Sequence, residues 1–257
     1  MWLDETFGLK YPVLQGGMAY VAGAEFAAAV SGAGALGQIS AGSMTADMVR
    51  ASIRKLRQLT DRPFGVNVML MNPQVAEIAQ VLAEEQVPLI TTGAGSPGPY
   101  IEQWKKAGAK VIPVVSTLTL ALRMERQGVD AVIAEGQEAG GHVGEMTSMV
   151  LWPLIADRLS IPMIAAGGIA GPRQIKAARA LGADGFQLGT LFLSAEECSI
   201  HDNYKAAVLK ASDTQVAVMG RHGGVPCRVM KNQLYRDYLA AERQGADREA
   251  LERLLVG

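Results

Sequence analysis

Eight short apolar runs recur along this chain, at residues 12–15, 36–40, 64–70, 89–92, 111–116, 131–135, 162–166 and 186–190. Stretches with helical spacing lie between them, at residues 46–59, 74–85, 118–127, 148–159 and 173–181, and most end in a glycine or a turn before the next run. The repeat is roughly 20 to 30 residues, the length of one strand and one helix, and too irregular for a solenoid. The runs are nearly all-apolar, as strands are when helices cover one face and side chains fill the other. Eight such units close into an α/β fold of the (β/α)8 TIM barrel type. A doubly wound open sheet is the alternative that the same alternation allows. With 257 residues, the chain can bury roughly three-quarters of the surface that its unfolded form exposes. The expected division is a barrel over residues 1–194 and a smaller cap over residues 195–257. There the polar stretch SAEECSIHDNYKAAVLK, a strand expected at 214–219 and the loop RHGGVPCR break the rhythm.

Composition removes several function classes. Basic and acidic residues number 24 and 25 with no charge block, so neither a nucleic-acid surface nor an acidic tail is expected. Cys198 and Cys227 have no metal-ligand spacing and form no disulfide framework, which fits a reducing cytoplasm and no metal site. No export signal and no run of about 18 apolar residues occurs, so a soluble protein without membrane association is expected. Residues 32–37 match GxGxxG but follow a helix and precede a strand, the reverse of the dinucleotide-binding order. Residues 93–98 have the right order, yet the next strand ends at Val115 and Ser116 without the acidic residue that would hold a ribose; this reads as a loop over a ligand. No GxSxG, HExxH or phosphate-loop motif is present. Most methionines read as core filler, with Met69 and Met71 as candidates to line an apolar channel.

The chemistry concentrates at strand ends. AVIAEGQEAGGHVG, residues 131–144, ends an apolar run at Glu135 and continues into a glycine-dense loop with Gly140, Gly141 and His142. Histidine exchanges a proton near neutrality, so His142 is the candidate catalytic residue. The next two runs end in Ala166-Gly167-Gly168 and in Gln187-Leu188-Gly189-Thr190. In (β/α)8 barrels the loops after the seventh and eighth strands commonly hold a phosphate on backbone N–H groups, and glycine lets the phosphate approach. With Gly16, Gly17, Met18 and Ala19 after the first run, these positions outline a long ligand across the mouth, of the length of flavin mononucleotide (FMN).

The segments LQGGMAYVA, FGVNVML, TTGAG, VIAEGQEAGGHVG, PMIAAGGIA and FQLGTLF resemble the FMN-dependent nitronate monooxygenase and enoyl-acyl-carrier-protein reductase II superfamily. VIPVVST, HVGEMTSMVL, ECSIHDNYK and RVMKNQL are more similar to the bacterial NADH-dependent enoyl reductase branch. The resemblance implies that Gly16, Gly17, Met18 and Ala19 border the flavin ring, and that Asn67 and Glu135 bond the flavin or its ribityl chain. It further implies that Gly141, Gly167, Gly168, Gly189 and Thr190 surround the phosphate, with Gly140 and Gln187 beside them, and that His142 is the active-site histidine. NADH or NADPH would be the electron donor, and an acyl carrier protein or a small molecule the partner; a homodimer is also admitted. Members of the superfamily continue into a glycine- and alanine-rich stretch and a final helix, so the chain reads as truncated at its C-terminus.

The implied reaction is reduction of a trans-2-enoyl thioester, in which backbone N–H groups or His142 stabilise charge on the thioester oxygen and His142 supplies the α-proton. Oxidation of an alkyl nitronate with oxygen is the alternative. A phosphate-ligand isomerase or lyase without flavin, and an inactive fragment, are further readings. Arg221, Arg228 and Lys231 are candidates for docking an acidic carrier protein, His201 for a polar cap, and His222 for meeting a phosphate.

Overall fold

A computed structural model describes residues 1–255; the last two residues of the expected cap, 256 and 257, lie outside the described residues. The strands are β1 (Val13–Gln15), β2 (Gly37–Ser40), β3 (Phe64–Met69), β4 (Leu89–Gly93), β5 (Lys110–Val115) and β6 (Val132–Glu135). They continue with β7 (Gly141–His142), β8 (Met163–Ala166), β9 (Gly185–Leu188), β10 (Val216–Met219) and β11 (Cys227–Met230). Eight of them form one sheet in the order β1-β9-β8-β6-β5-β4-β3-β2, paired in parallel. A bridge between Leu14 and Leu36 joins the two edges, with Gln15 N donating to Leu36 O at 2.9 Å and Leu36 N to Val13 O at 2.8 Å. The sheet is therefore a barrel and not an open doubly wound layer.

The helices are α1 (Trp2–Phe7), α2 (Ala24–Gly32), α3 (Ala46–Leu59), α4 (Val75–Glu84), α5 (Gly98–Lys106), α6 (Leu118–Arg126), α7 (Ser148–Ala156) and α8 (Pro172–Ala180). α3 shows why such segments become helices: Thr45 Oγ1 caps its first turn by accepting from Met48 N, and Val49, Ile53 and Leu56 make one buried stripe. Period-two alternation divides each strand between two cores. Leu14, Leu36, Leu89, Ile112, Ile133 and Ile164 fill the barrel with Leu3 of α1. Val66, Ile90, Val132 and Phe186 face outward among Ile53, Leu82, Trp104 and Ile155 of the helices. Each such buried side chain contributes roughly 1.5–3 kcal/mol.

After β9 the rhythm changes. A 3₁₀ turn (Thr190–Ser194) packs Phe192 edge-on against Phe26 of α2 with ring centroids 6.4 Å apart, which covers the barrel flank beside β1. α9 (Asp202–Lys210), α10 (Gln233–Arg243) and α11 (Arg248–Leu255) follow. Met219, Tyr238 and Leu251 form a separate small core there. The strand expected at 214–219 is β10, paired antiparallel with β11. β11 in turn pairs with β7, so the loop after β6 lends a strand to the small sheet. His201 is the cap it was expected to be, its Nδ1 accepting from Asn203 N at 3.1 Å. No helix among the described residues is long and apolar enough to cross a membrane.

The glycine pattern at 32–37 serves packing between α2 and β2. A β-carbon on Gly37 would overlap the Ala27 carbonyl, whereas one on Gly32 meets nothing within 4 Å. Gly37→Ala should cost about 1–3 kcal/mol or more through overpacking, while Gly32→Ala should leave stability unchanged or raise it by up to about 1 kcal/mol. Urea denaturation of the two variants checks the contrast.

Candidate active site

Alternation along the strands decides which side chains reach the barrel mouth. Ile133 points into the barrel, so Glu135, two residues on, points in above it; Leu89 likewise places Thr91. Gly65 packs on Leu89 and Gly185 on Ile164 and Leu3, which turns Asn67 and Gln187 inward. Glu135, Ala166 and Gln187 are register partners across β6, β8 and β9 and form one row under the mouth. Gly16 joins them at the end of β1, its N–H donating to Leu188 O at 2.7 Å.

A polar chain that sequence reading missed supports this floor. Asn67 Nδ2 donates to Thr91 Oγ1 (2.9 Å), Thr91 Oγ1 to Gln38 Oε1 (2.7 Å), and Gln38 Nε2 to Gln15 O (2.6 Å). A β-carbon on Gly17 would overlap the Asn67 amide, so the side chain lies flat against that backbone. Met18, by contrast, packs partly into the cluster around Phe26 and Val30. Ala19 and Tyr20 are exposed, and Tyr20 holds a left-handed φ of 62° at the tip of the loop. Asn72 Nδ2 ties down the loop after β2 through the carbonyls of Ala41, Gly42 and Met44. Met69 lies against Gly42, and Met71 is exposed. The loop at 93–98 is fastened to α6 by Ser96 Oγ, which donates to Gln127 Oε1 at 3.0 Å.

The glycine loops meet at one place. Gly167 and Gly168 have φ of +97° and +72°, the left-handed region that favours glycine. A β-carbon on Gly167 would lie 2.9 Å from the Gly136 carbonyl and 3.2 Å from Ala139 N, so the loop after β6 sits directly on the end of β8. Gly140 reaches β9, its β-carbon position 3.7 Å from Thr190 Oγ1. Glu138 locks the loop from below by accepting from Ser148 N (2.9 Å) and Ser148 Oγ (2.7 Å) at the start of α7. The N–H groups of Gly140, Gly167, Gly168, Gly189 and Thr190 donate to no acceptor among the described residues, and a β-carbon on Gly189 would enter open space. Unpartnered amides at two adjacent strand ends suit a phosphate, so the residues present fit the terminal phosphate of FMN.

His142 stands at the edge of the small sheet, opposite Cys227, and its ring is exposed. Burial pushes the neighbouring Cys227 thiol up, which keeps it protonated. Of the three docking candidates, the structure turns one inward. Arg228 spends its guanidinium on the loop after β6, donating from Nε to Ala139 O (3.1 Å) and from Nη2 to Gln137 O (2.9 Å). Arg221 pairs with Glu145 at 2.9 Å. Arg228 is therefore not a free rim charge, while Arg221, in its surface ion pair, Lys231 and His222 are exposed.

A family model described as nitronate monooxygenase matches residues 2–89 and 74–253. The chain belongs to the nitronate monooxygenase family. FabK from Thermotoga maritima is 44% identical and superposes with a TM-score of 0.96, covering 100% of this chain and 82% of that one. A (3aS,4S,5R,7aS)-5-hydroxy-7a-methyl-1-oxo-octahydro-1H-indene-4-carboxyl-CoA dehydrogenase from Mycobacterium tuberculosis is 35% identical over 235 residues, 90% of this chain and 66% of the relative. A probable nitronate monooxygenase from Staphylococcus haemolyticus is 34% identical and covers 91% of this chain and 80% of its own. The chain thus spans just under two thirds of the mycobacterial dehydrogenase. The family is one of FMN-dependent oxidoreductases.

Glu135 is the one strongly perturbed acid of the site. Burial, with no hydrogen bond to offset it, raises its pKa from 4.5 to about 7. The folded state therefore holds a proton that the unfolded state has already released between those values, so Glu135 contributes a fall in stability as pH rises through 4.5 to about 7. The full shift, from 4.5 to about 7, corresponds to roughly 3 kcal/mol. Glu135→Gln should flatten that slope in the flavin-free protein, as measured by urea denaturation at pH 5 and pH 8; an unchanged slope would place the titrating group elsewhere.

Proposed function

We propose that this chain carries the catalytic barrel of an FMN-dependent, NADH-dependent reductase of trans-2-enoyl thioesters, acting on substrates borne by an acyl carrier protein. The observation that carries the reading is the 44% identity to FabK over the whole chain, against 34% for the staphylococcal nitronate monooxygenase. The mycobacterial relative, whose name gives a carboxyl-CoA substrate, points to thioester chemistry as well. The segments HVGEMTSMVL and RVMKNQL resemble the same branch.

In this reading Gly16, Gly17, Met18 and Ala19 border the flavin ring, with the Asn67 amide and the Glu135 carboxyl reaching its polar edge or ribityl chain. Glu135, its pKa raised to about 7 by burial, can donate as well as accept there near neutrality. Gln187 extends that row, and the amides of Gly140, Gly167, Gly168, Gly189 and Thr190 seat the phosphate, with Gly141 beside them in β7, where it pairs with Arg228. When bound, FMN supplies hydride transfer from a nicotinamide donor to the β-carbon of the thioester. His142 then holds or delivers the proton for the α-carbon, or stabilises charge on the thioester oxygen. Its ring is free to do so because the described residues bond only its backbone.

A second reading, oxidation of alkyl nitronates with oxygen, is favoured by the description of the family model and by the staphylococcal relative. Anaerobic half-reactions separate the two. A reductase bleached by NADH regains its oxidised flavin absorbance when a crotonyl thioester is added. A monooxygenase is bleached by propionate-3-nitronate and recovers only with oxygen. Recovery by the thioester is expected; bleaching by nitronate without recovery by thioester would favour the second reading. His142→Ala should keep flavin content and melting temperature near parent, because its side chain braces nothing, while the thioester step slows about a hundredfold or more. Parental rates in that variant would remove His142 from the reaction.

A further inference from the structure

Arg228 is half-buried and has no carboxylate partner among the described residues, in contrast to Arg221, whose charge is met by Glu145. It bonds instead to two backbone carbonyls, Gln137 O and Ala139 O, at 2.9 and 3.1 Å. A trans peptide points its C=O and the following N–H in opposite directions. Two carbonyls drawn toward Arg228 therefore turn the N–H groups of Glu138 and Gly140 away from it. The same loop packs against the ends of β8 and β9: the β-carbon position of Gly167 is 3.2 Å from Ala139 N, and that of Gly140 is 3.7 Å from Thr190 Oγ1, just after β9. The peptide between Ala139 and Gly140 borders a glycine, where the backbone resists rotation least, and Gly140 N–H has no acceptor among the described residues. Something must hold this peptide in one orientation, and among the described residues the only side-chain bond to its carbonyl comes from Arg228.

We propose that Arg228 is a positioning residue of the cofactor site. Its guanidinium orients the Ala139–Gly140 peptide so that the N–H joins the phosphate seat, and its unpaired charge behind that peptide strengthens the seat for a dianion. The proposal rests on the FMN reading above. It assigns to the small sheet a task inside the barrel: β11 sets the loop through Arg228 while its neighbour in the same strand, Cys227, pairs with His142. A planar fork that bridges two carbonyls is something that lysine cannot reproduce.

The test compares flavins with and without phosphate. The purified 257-residue chain, stripped of flavin, is titrated with FMN and with riboflavin by fluorescence quenching, for the parent, Arg228→Met, Arg228→Lys and the control Arg221→Met. Arg228→Met should weaken FMN about tenfold or more while changing riboflavin by no more than about twofold, because the lost bonds and charge act at the phosphate. Arg228→Lys should fall between parent and Arg228→Met, and Arg221→Met should match the parent. Equal weakening of both flavins would make Arg228 a brace of the fold, and an unchanged FMN affinity would make it idle; either result overturns the proposal. Should Arg228→Met not fold, the same ratio is read on Arg228→Lys. A parent that binds riboflavin as tightly as FMN would overturn the phosphate seat and this proposal together. No electron acceptor enters the measurement, so a mistaken choice between thioester and nitronate leaves its outcome unaffected.

Discussion

The contact on which the site depends is the approach of the loop after β6 to the end of β8. The Gly136 carbonyl and Ala139 N come within about 3 Å of where a β-carbon on Gly167 would be, a spacing that only glycine at 167 permits. Because of it, three loops of a barrel whose strand ends lie apart in sequence share one small region. Beside this contact the amides at 140, 167, 168, 189 and 190 have no acceptor among the described residues. Backbone amides left unpartnered are costly where water is excluded. Here they are gathered at a mouth, where a phosphate can satisfy them.

Around that contact the fold supplies rigidity from three directions. Glu138 bonds Ser148 and so fixes the loop to α7, while Ser148 Oγ also donates to Gly167 O at 3.2 Å. The barrel floor fixes Asn67 through Thr91 and Gln38, two polar side chains fully buried among apolar neighbours. The small sheet fixes the outer side through β7, β11 and Arg228. Glu135 is the exception, a half-buried carboxyl with no hydrogen-bond partner among the described residues, and this cost to the ligand-free fold marks it as a group that a ligand would engage.

The barrel was readable because burial on both faces leaves an apolar run at every strand, and all eight runs became strands within a residue or two of their expected limits. Glycine at strand ends was readable for the same reason: a left-handed turn or a close approach leaves a residue type behind, as at Gly167 and Gly168. Contacts made by ordinary side chains across long sequence separations were not readable. Arg228 reaches residues about ninety positions earlier and looks in sequence like any surface arginine of a cap. Thr91 and Gln38 sit within apolar runs with nothing to say that they bond each other. The strand at 141–142 has only two residues, too few for any periodicity, and exists because β11 pairs with it.

The central claim is that the amides at the ends of β8 and β9 receive a phosphate. Amide resonances of the ¹⁵N-labelled, flavin-free chain followed during titration with FMN test this most directly. The account predicts that the N–H protons of Gly167, Gly168, Gly189 and Thr190 move downfield together with FMN and stay near their free positions with riboflavin. Resonances at those four residues that remain unmoved by FMN, while others around the mouth shift, would contradict it.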